Sequence, residues 1–139
     1  MEITAKFVGQ RTFLARGDSR HWVAIDTREQ VGGSNSASSP MELVLMGLAS
    51  CTGLDVVAIL EKRRVTLTDY EIRVSAERAE DHPRVYTDIH LKFIFTSQDL
   101  TDKDAERAIH LSETKYCSVT AMLEKTAEIT TEFEILRPE

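Results

Sequence analysis

Two cysteines, three prolines, six glycines and a single tryptophan are few for a chain of 139 residues, and each scarcity excludes something. Two cysteines make no disulfide framework, and neither sits in a CxxC or at ligand spacing from a histidine, so no zinc motif is present. His21, His82, His90 and His110 are scattered without a short spacing among them, and no metal and no cofactor are expected. No repeat or low-complexity segment is visible. Positive charge is also in deficit. Seventeen basic against 23 acidic residues give a net charge of −6, which excludes a phosphate-tracking surface and argues against nucleic acid or a membrane surface as partner. The start, Met1-Glu2-Ile3-Thr4-Ala5-Lys6, has no basic segment followed by an apolar run, so no secretory signal is read and the expected compartment is the cytoplasm. In such a reducing compartment, pairing of Cys51 with Cys117 would be transient and chemical rather than structural.

What is present is ordinary in bulk, at 42% hydrophobic and 29% charged, and implies one globular domain over residues 1–139. Short alternating runs around Ile3 to Phe7, Thr12 to Ala15 and His21 to Ile25 predict three strands. The small, polar stretch Val31 to Ser39 reads as a flexible loop. A helix start follows, with Ser39 as cap, Pro40 at the first helical position and Glu42 completing a capping box. From there apolar residues run on every side to about Lys62, which predicts a helix of roughly 35 Å that is buried all round. Glu42, Asp55 and Glu61 interrupt the apolar run, so its cover is expected from protein, with a second subunit supplying what one small sheet cannot. Two longer alternating runs, Tyr70 to Ala76 and Val85 to Phe95, are joined by a turn at Asp81-His82-Pro83. A helix from Thr101 to about Glu113, a short one from Val119 to Leu123 and a last strand from Ile129 to Ile135 complete the order βββαββααβ. That order predicts an α+β fold with antiparallel sheets.

Cys51 lies mid-helix, where a cysteine is commonly a small buried hydrophobe. Asp55, one turn on and on the same face, opposes a thiolate there when ionised. Gly47 and Gly53 flank Cys51 at a propensity cost of about 1 kcal/mol each, which points to close approach by another backbone or a ligand. Cys117 precedes a helix, where backbone N–H groups favour its thiolate, and Lys115 adds a positive charge nearby. Packing and reactive readings stand open for both. The loop Gly32 to Ser38 lacks the lysine of a P-loop and the pattern of a dinucleotide site.

The segments Ser39-Pro40-Met41-Glu42-Leu43 through Ala49-Ser50-Cys51, and Lys115-Tyr116-Cys117-Ser118-Val119, resemble the OsmC/Ohr superfamily of osmotically induced protein C-like proteins, especially its YhfA-like branch. The likeness covers nearly the whole chain. It implies an intertwined homodimer around long central helices, with a two-cysteine site at the subunit interface. It further implies reduction of an organic hydroperoxide, with Cys51 as nucleophile, Cys117 as resolving thiol and a thiol reductant closing the cycle. In the peroxidase members a glutamate directly follows the helix-start proline and positions an arginine beside the reactive sulfur. Here Met41 follows Pro40, and Glu42 is turned about 100° away. Arg11, Arg16 and Arg20 are the candidates for the activating arginine, none in a matching motif. The departure motivates a rival reading, a non-catalytic protein that binds a small hydrophobic ligand in the dimer cavity with Cys51 as packing. A purely structural, stress-associated dimer is the third.

Overall fold

The computed structural model describes residues 1–138, which divide into two compact units, residues 1–46 and residues 47 onward. The first unit holds a three-stranded antiparallel meander of β1 (Thr4–Gly9), β2 (Thr12–Arg16) and β3 (Val23–Ile25), in that order. Gln10 takes the β1–β2 turn at φ 51°, a left-handed conformation that a tight reversal imposes on a non-glycine residue.

The stretch after β3, read from sequence as flexible, is pinned. Asp26 is fully buried, and its carboxylate accepts hydrogen bonds from the Ser36 and Ser34 hydroxyls at 2.6 and 2.7 Å. The Thr27, Ser36 and Ser34 backbone N–H groups add three more at 2.8, 3.0 and 3.2 Å. The serines' small polar side chains are thus the donors that satisfy a buried charge. The stretch leads into α1 (Pro40–Lys62), whose start carries the expected capping box. The Ser39 N–H and hydroxyl donate to Glu42 Oε2 at 2.7 and 2.6 Å, and the Glu42 N–H donates to Ser39 Oγ at 3.3 Å.

In the second unit β4 (Asp69–Arg78), β5 (Tyr86–Thr96) and β6 (Glu128–Leu136) form one sheet with β5 at its centre. β4 pairs with β5 antiparallel, as expected, but β6 pairs with β5 in parallel, from Asp88↔Glu128 to Thr96↔Leu136. The antiparallel expectation is corrected at this strand. Its physical origin is the crossover of residues 97–127, which contains α2 (Asp102–Leu111) and α3 (Ser118–Leu123) and returns the chain to the end of the sheet where β5 began. Alternation puts Ile89, Leu91, Phe93 and Phe95 of β5 in the core, with Tyr70 of β4 stacked on Phe95 at 4.8 Å.

By length and composition α1 would pass as a membrane span; Leu48, Val56 and Leu60 on one side of it are fully buried within the chain. A Cβ at Gly53 would stand 3.0 Å from Ile72 Cδ1, so what approaches this glycine is a side chain of β4 and not the backbone or ligand expected. Gly47 has open space instead. Met46 and Leu54 of α1 are exposed, so burial all round is met on one side only within the chain.

The hydrogen bonds to Asp26 hold its carboxyl far below the usual carboxylate range, with those from Ser36 and Ser34 foremost. A carboxyl depressed in the folded state contributes stability that is complete above its unfolded value of about 3.9 and is lost as pH falls below it. Asp26→Asn should therefore lower the thermal midpoint at neutral pH and narrow its gap from wild type as the solution is acidified. Calorimetry across the acid range checks both.

Candidate functional site

Cys51 and Asp55 are one helical turn apart on α1, so their side chains share a face. Cys117 reaches that face from the crossover by way of a local irregularity. After α2 ends at Leu111 the chain makes one π turn over Ser112–Tyr116, closed by a Cys117 N–H to Ser112 C=O bond of 2.8 Å, and Cys117 then leaves in extended conformation as the cap of α3. The two sulfurs and an Asp55 carboxylate oxygen all lie within 4.8 Å of one another.

The sulfurs differ in surroundings. Cys117 is 3% exposed, and its Sγ accepts from the Thr52 hydroxyl at 3.3 Å and from the Thr120 backbone N–H at 3.4 Å. Burial pushes this thiol up, but donation from Thr120, Thr52 and the Cys51 thiol outweighs it, and the net displacement is downward. The helix-cap expectation for Cys117 is met, with Thr52 as an added donor. Cys51 is half-buried. Burial raises its thiol, the hydrogen bond it donates to Cys117 and the charges of Cys117 and Asp55 raise it further, and the Val119 N–H opposes them. Of the two, therefore, Cys117 is the sulfur disposed to ionise and Cys51 the one disposed to keep its proton. Ser112 Oγ donates to Asp55 Oδ2 at 3.0 Å and fixes the carboxylate.

Two pockets adjoin this cluster. One, of about 330 Å³, has Asp55, Ile59, Lys62, Arg63, Arg107 and Tyr116 in its lining, with Arg63 paired to Asp104 at 2.5 Å. The other, of about 450 Å³, has Cys117, Thr120, Glu113 and Lys115 in its lining. Arg11, Arg16 and Arg20 all belong to the first unit. Within it Arg11 donates to the Val31 carbonyl, Arg16 lies 4.7 Å above the Trp22 ring, and Arg20 occupies a turn at φ 63°.

Sequence reading found Cys51, Asp55 and Cys117 but not Thr52, Ser112 and Thr120. Thr52 and Ser112 are polar residues buried in an apolar helix and at a helix end, which is the signal that a polar group awaits them.

A long helix and a helix cap in the crossover that hold two thiols side by side in an α+β fold define a small two-cysteine protein. A family model described as OsmC-like protein matches residues 33–132. Protein YhfA of Escherichia coli K12 is 42% identical over 136 residues, covering 98% of each chain. A solved structure of a hypothetical protein from Aquifex aeolicus is 30% identical, with a TM-score of 0.87 over 99% of this chain and 97% of that one. The organic hydroperoxide resistance protein OhrB of Bacillus subtilis is similar in fold, with a TM-score of 0.64 over 96% of each chain and 17% identity. The chain belongs to the OsmC-like family.

Removing one donor to this weakly accepting sulfur should cost about 0.5–1.5 kcal/mol, or about half to one pH unit. Thr52→Val should move the first thiolate titration up by that much. The pH dependence of thiolate absorbance, read beside wild type and Cys117→Ser, checks it.

Proposed function

We propose that this protein reduces organic hydroperoxides with Cys51 as attacking thiol, Cys117 as resolving thiol and an external dithiol as reductant, acting as one domain over residues 1–139 in a cytoplasmic homodimer. The observation that carries the reading is a half-buried sulfur within 4.8 Å of a buried one, to which it donates its proton in a hydrogen bond. Transfer of that proton from Cys51 to Cys117 along their hydrogen bond puts the thiolate on the sulfur a bulky hydroperoxide can reach. Cys51 attacks the terminal peroxide oxygen, the O–O bond breaks, and the alkoxide leaves with the proton that Cys117 took up. The products are the alcohol, Cys51 sulfenic acid and a Cys117 thiolate again. That thiolate attacks the sulfenic sulfur, hydroxide leaves, and the disulfide is returned to two thiols by the dithiol, which is itself oxidised. Arg11, Arg16 and Arg20 are the proposed sources of charge that would favour the Cys51 thiolate, and single Arg→Gln variants test each.

Cys51→Ser should abolish consumption of cumene hydroperoxide under dithiothreitol. Cys117→Ser should react once and hold a sulfenic acid that dimedone traps on Cys51. Dimedone on Cys117 in Cys51→Ser, with none on Cys51 in Cys117→Ser, would reverse the roles, an outcome the lowered Cys117 thiol favours in the resting state. With neither adduct nor disulfide in any variant, the ligand-binding reading becomes the better one.

The homodimer rests on α1, where Leu54 is 71% exposed beside Ala49, Val57 and Ile72, an apolar surface that calls for cover. Leu54→Glu should convert a species of twice 15.7 kDa to one of 15.7 kDa in sedimentation equilibrium. A variant that remains dimeric would place the interface elsewhere.

A further inference from the structure

The peroxide cycle gives Asp55 nothing to do, and its charge opposes the thiolate that cycle requires. Nevertheless the structure fixes it against the sulfurs, through a hydroxyl from a buried serine on the π turn. A carboxylate oriented by a hydrogen bond and facing two thiols is the donor set of a thiophilic divalent cation, with an outer residue that aims one ligand.

We propose that reduced Cys51, Asp55 and Cys117 form a zinc site that binds one Zn²⁺ per chain through two thiolates and one carboxylate, leaving a fourth position open. Three ligands of this kind around tetrahedral zinc stand about 3.6–3.8 Å apart, at metal distances of roughly 2.3 Å to sulfur and 2.1 Å to oxygen. The donor atoms are already within 4.8 Å of one another, so closure asks for movements of about 1 Å. Binding displaces the Cys51 proton to solvent and forms two Zn–S bonds and one Zn–O bond, with no change of oxidation state. The three anionic ligands exceed the charge of the cation by one, and Lys62 and Arg107, which line the same pocket as Asp55, supply compensating charge. Linear spacing hides the site, because two ligands come from one turn of α1 and the third from a crossover far along the chain. A thiol pair held by zinc is closed to oxidants and alkylating agents, so the metal would set when these thiols are available.

Cobalt titration of the reduced chain without oxygen tests the site directly. The expected result is one Co²⁺ per chain, tetrahedral visible bands and thiolate-to-cobalt charge transfer, all lost on adding Zn²⁺. Zinc should also shield both cysteines from iodoacetamide. Ser112→Ala should bind about tenfold more weakly, since it frees the carboxylate without removing a ligand, and Asp55→Asn more weakly still. Each Cys→Ser variant should lose at least half of the charge-transfer intensity. Absence of the band, a stoichiometry of one metal per two chains, or an Asp55→Asn chain that titrates like wild type would overturn the proposal. The readout needs no peroxide. A chain that consumes hydroperoxide but gives no cobalt band refutes the zinc site alone, and one that binds cobalt but ignores peroxide refutes only the peroxidase reading.

Discussion

A buried sulfur ionises more readily only where other donors replace the water it has lost, and the second unit supplies such donors at Cys117. Three donors converge on one sulfur from three separate places: the Thr52 hydroxyl on α1, the Thr120 N–H in the first turn of α3, and the thiol of Cys51. Each is weak alone, since sulfur is a diffuse acceptor at 3.3 to 3.4 Å. Together they exceed the desolvation that pushes the other way, and for that they need α1, the π turn and α3 held in one relation. The sheet serves this end, with β4 packing under Gly53, two residues from Cys51, and β6 receiving the chain that leaves α3.

The same arrangement explains why the two sulfurs are unlike. Cys51 gains one backbone donor and loses to burial, to its neighbour's charge and to Asp55, so its thiol is pushed up. Cys117 is buried yet disposed to ionise, while Cys51 is half-buried and disposed to keep its proton. Charge and access are divided between the two sulfurs, and the hydrogen bond between them is the route by which either can acquire the other's property.

Local rules made much of this legible in the sequence. The capping box at Ser39 to Glu42, the alternation of β4 and β5 and the amphipathic spacing of α2 are each decided by neighbours in the chain, and each formed as expected. The parallel pairing of β6 is decided by where the crossover ends, and nothing in Ile129 to Ile135 distinguishes a parallel from an antiparallel edge. The ordering of residues 26–38 escaped notice because serines and glycines look alike as flexible filler until the buried Asp26 that uses them is located. At the site, Cys51 and Asp55 were readable as neighbours from helical spacing alone. Their meeting with Cys117, Ser112 and Thr120 depends on tertiary contact across some sixty positions, which no local pattern encodes.

The π turn between α2 and α3 has a consequence for how the family can vary. An i to i−5 closure spends one more residue than an ordinary helical turn, so Cys117, and not Tyr116, leaves the helix at the point facing Thr52. Loss of any one residue between 113 and 116 would let the turn relax to the commoner geometry. Cys117 would then be displaced by about 100° and 1.5 Å along the helix path, with its chemistry unchanged and its partners out of reach. The site therefore tolerates changes of side-chain identity in Glu113, Thr114, Lys115 and Tyr116 far better than a change of length, and insertions or deletions there are a means of retiring the thiol pair while leaving every cysteine in place.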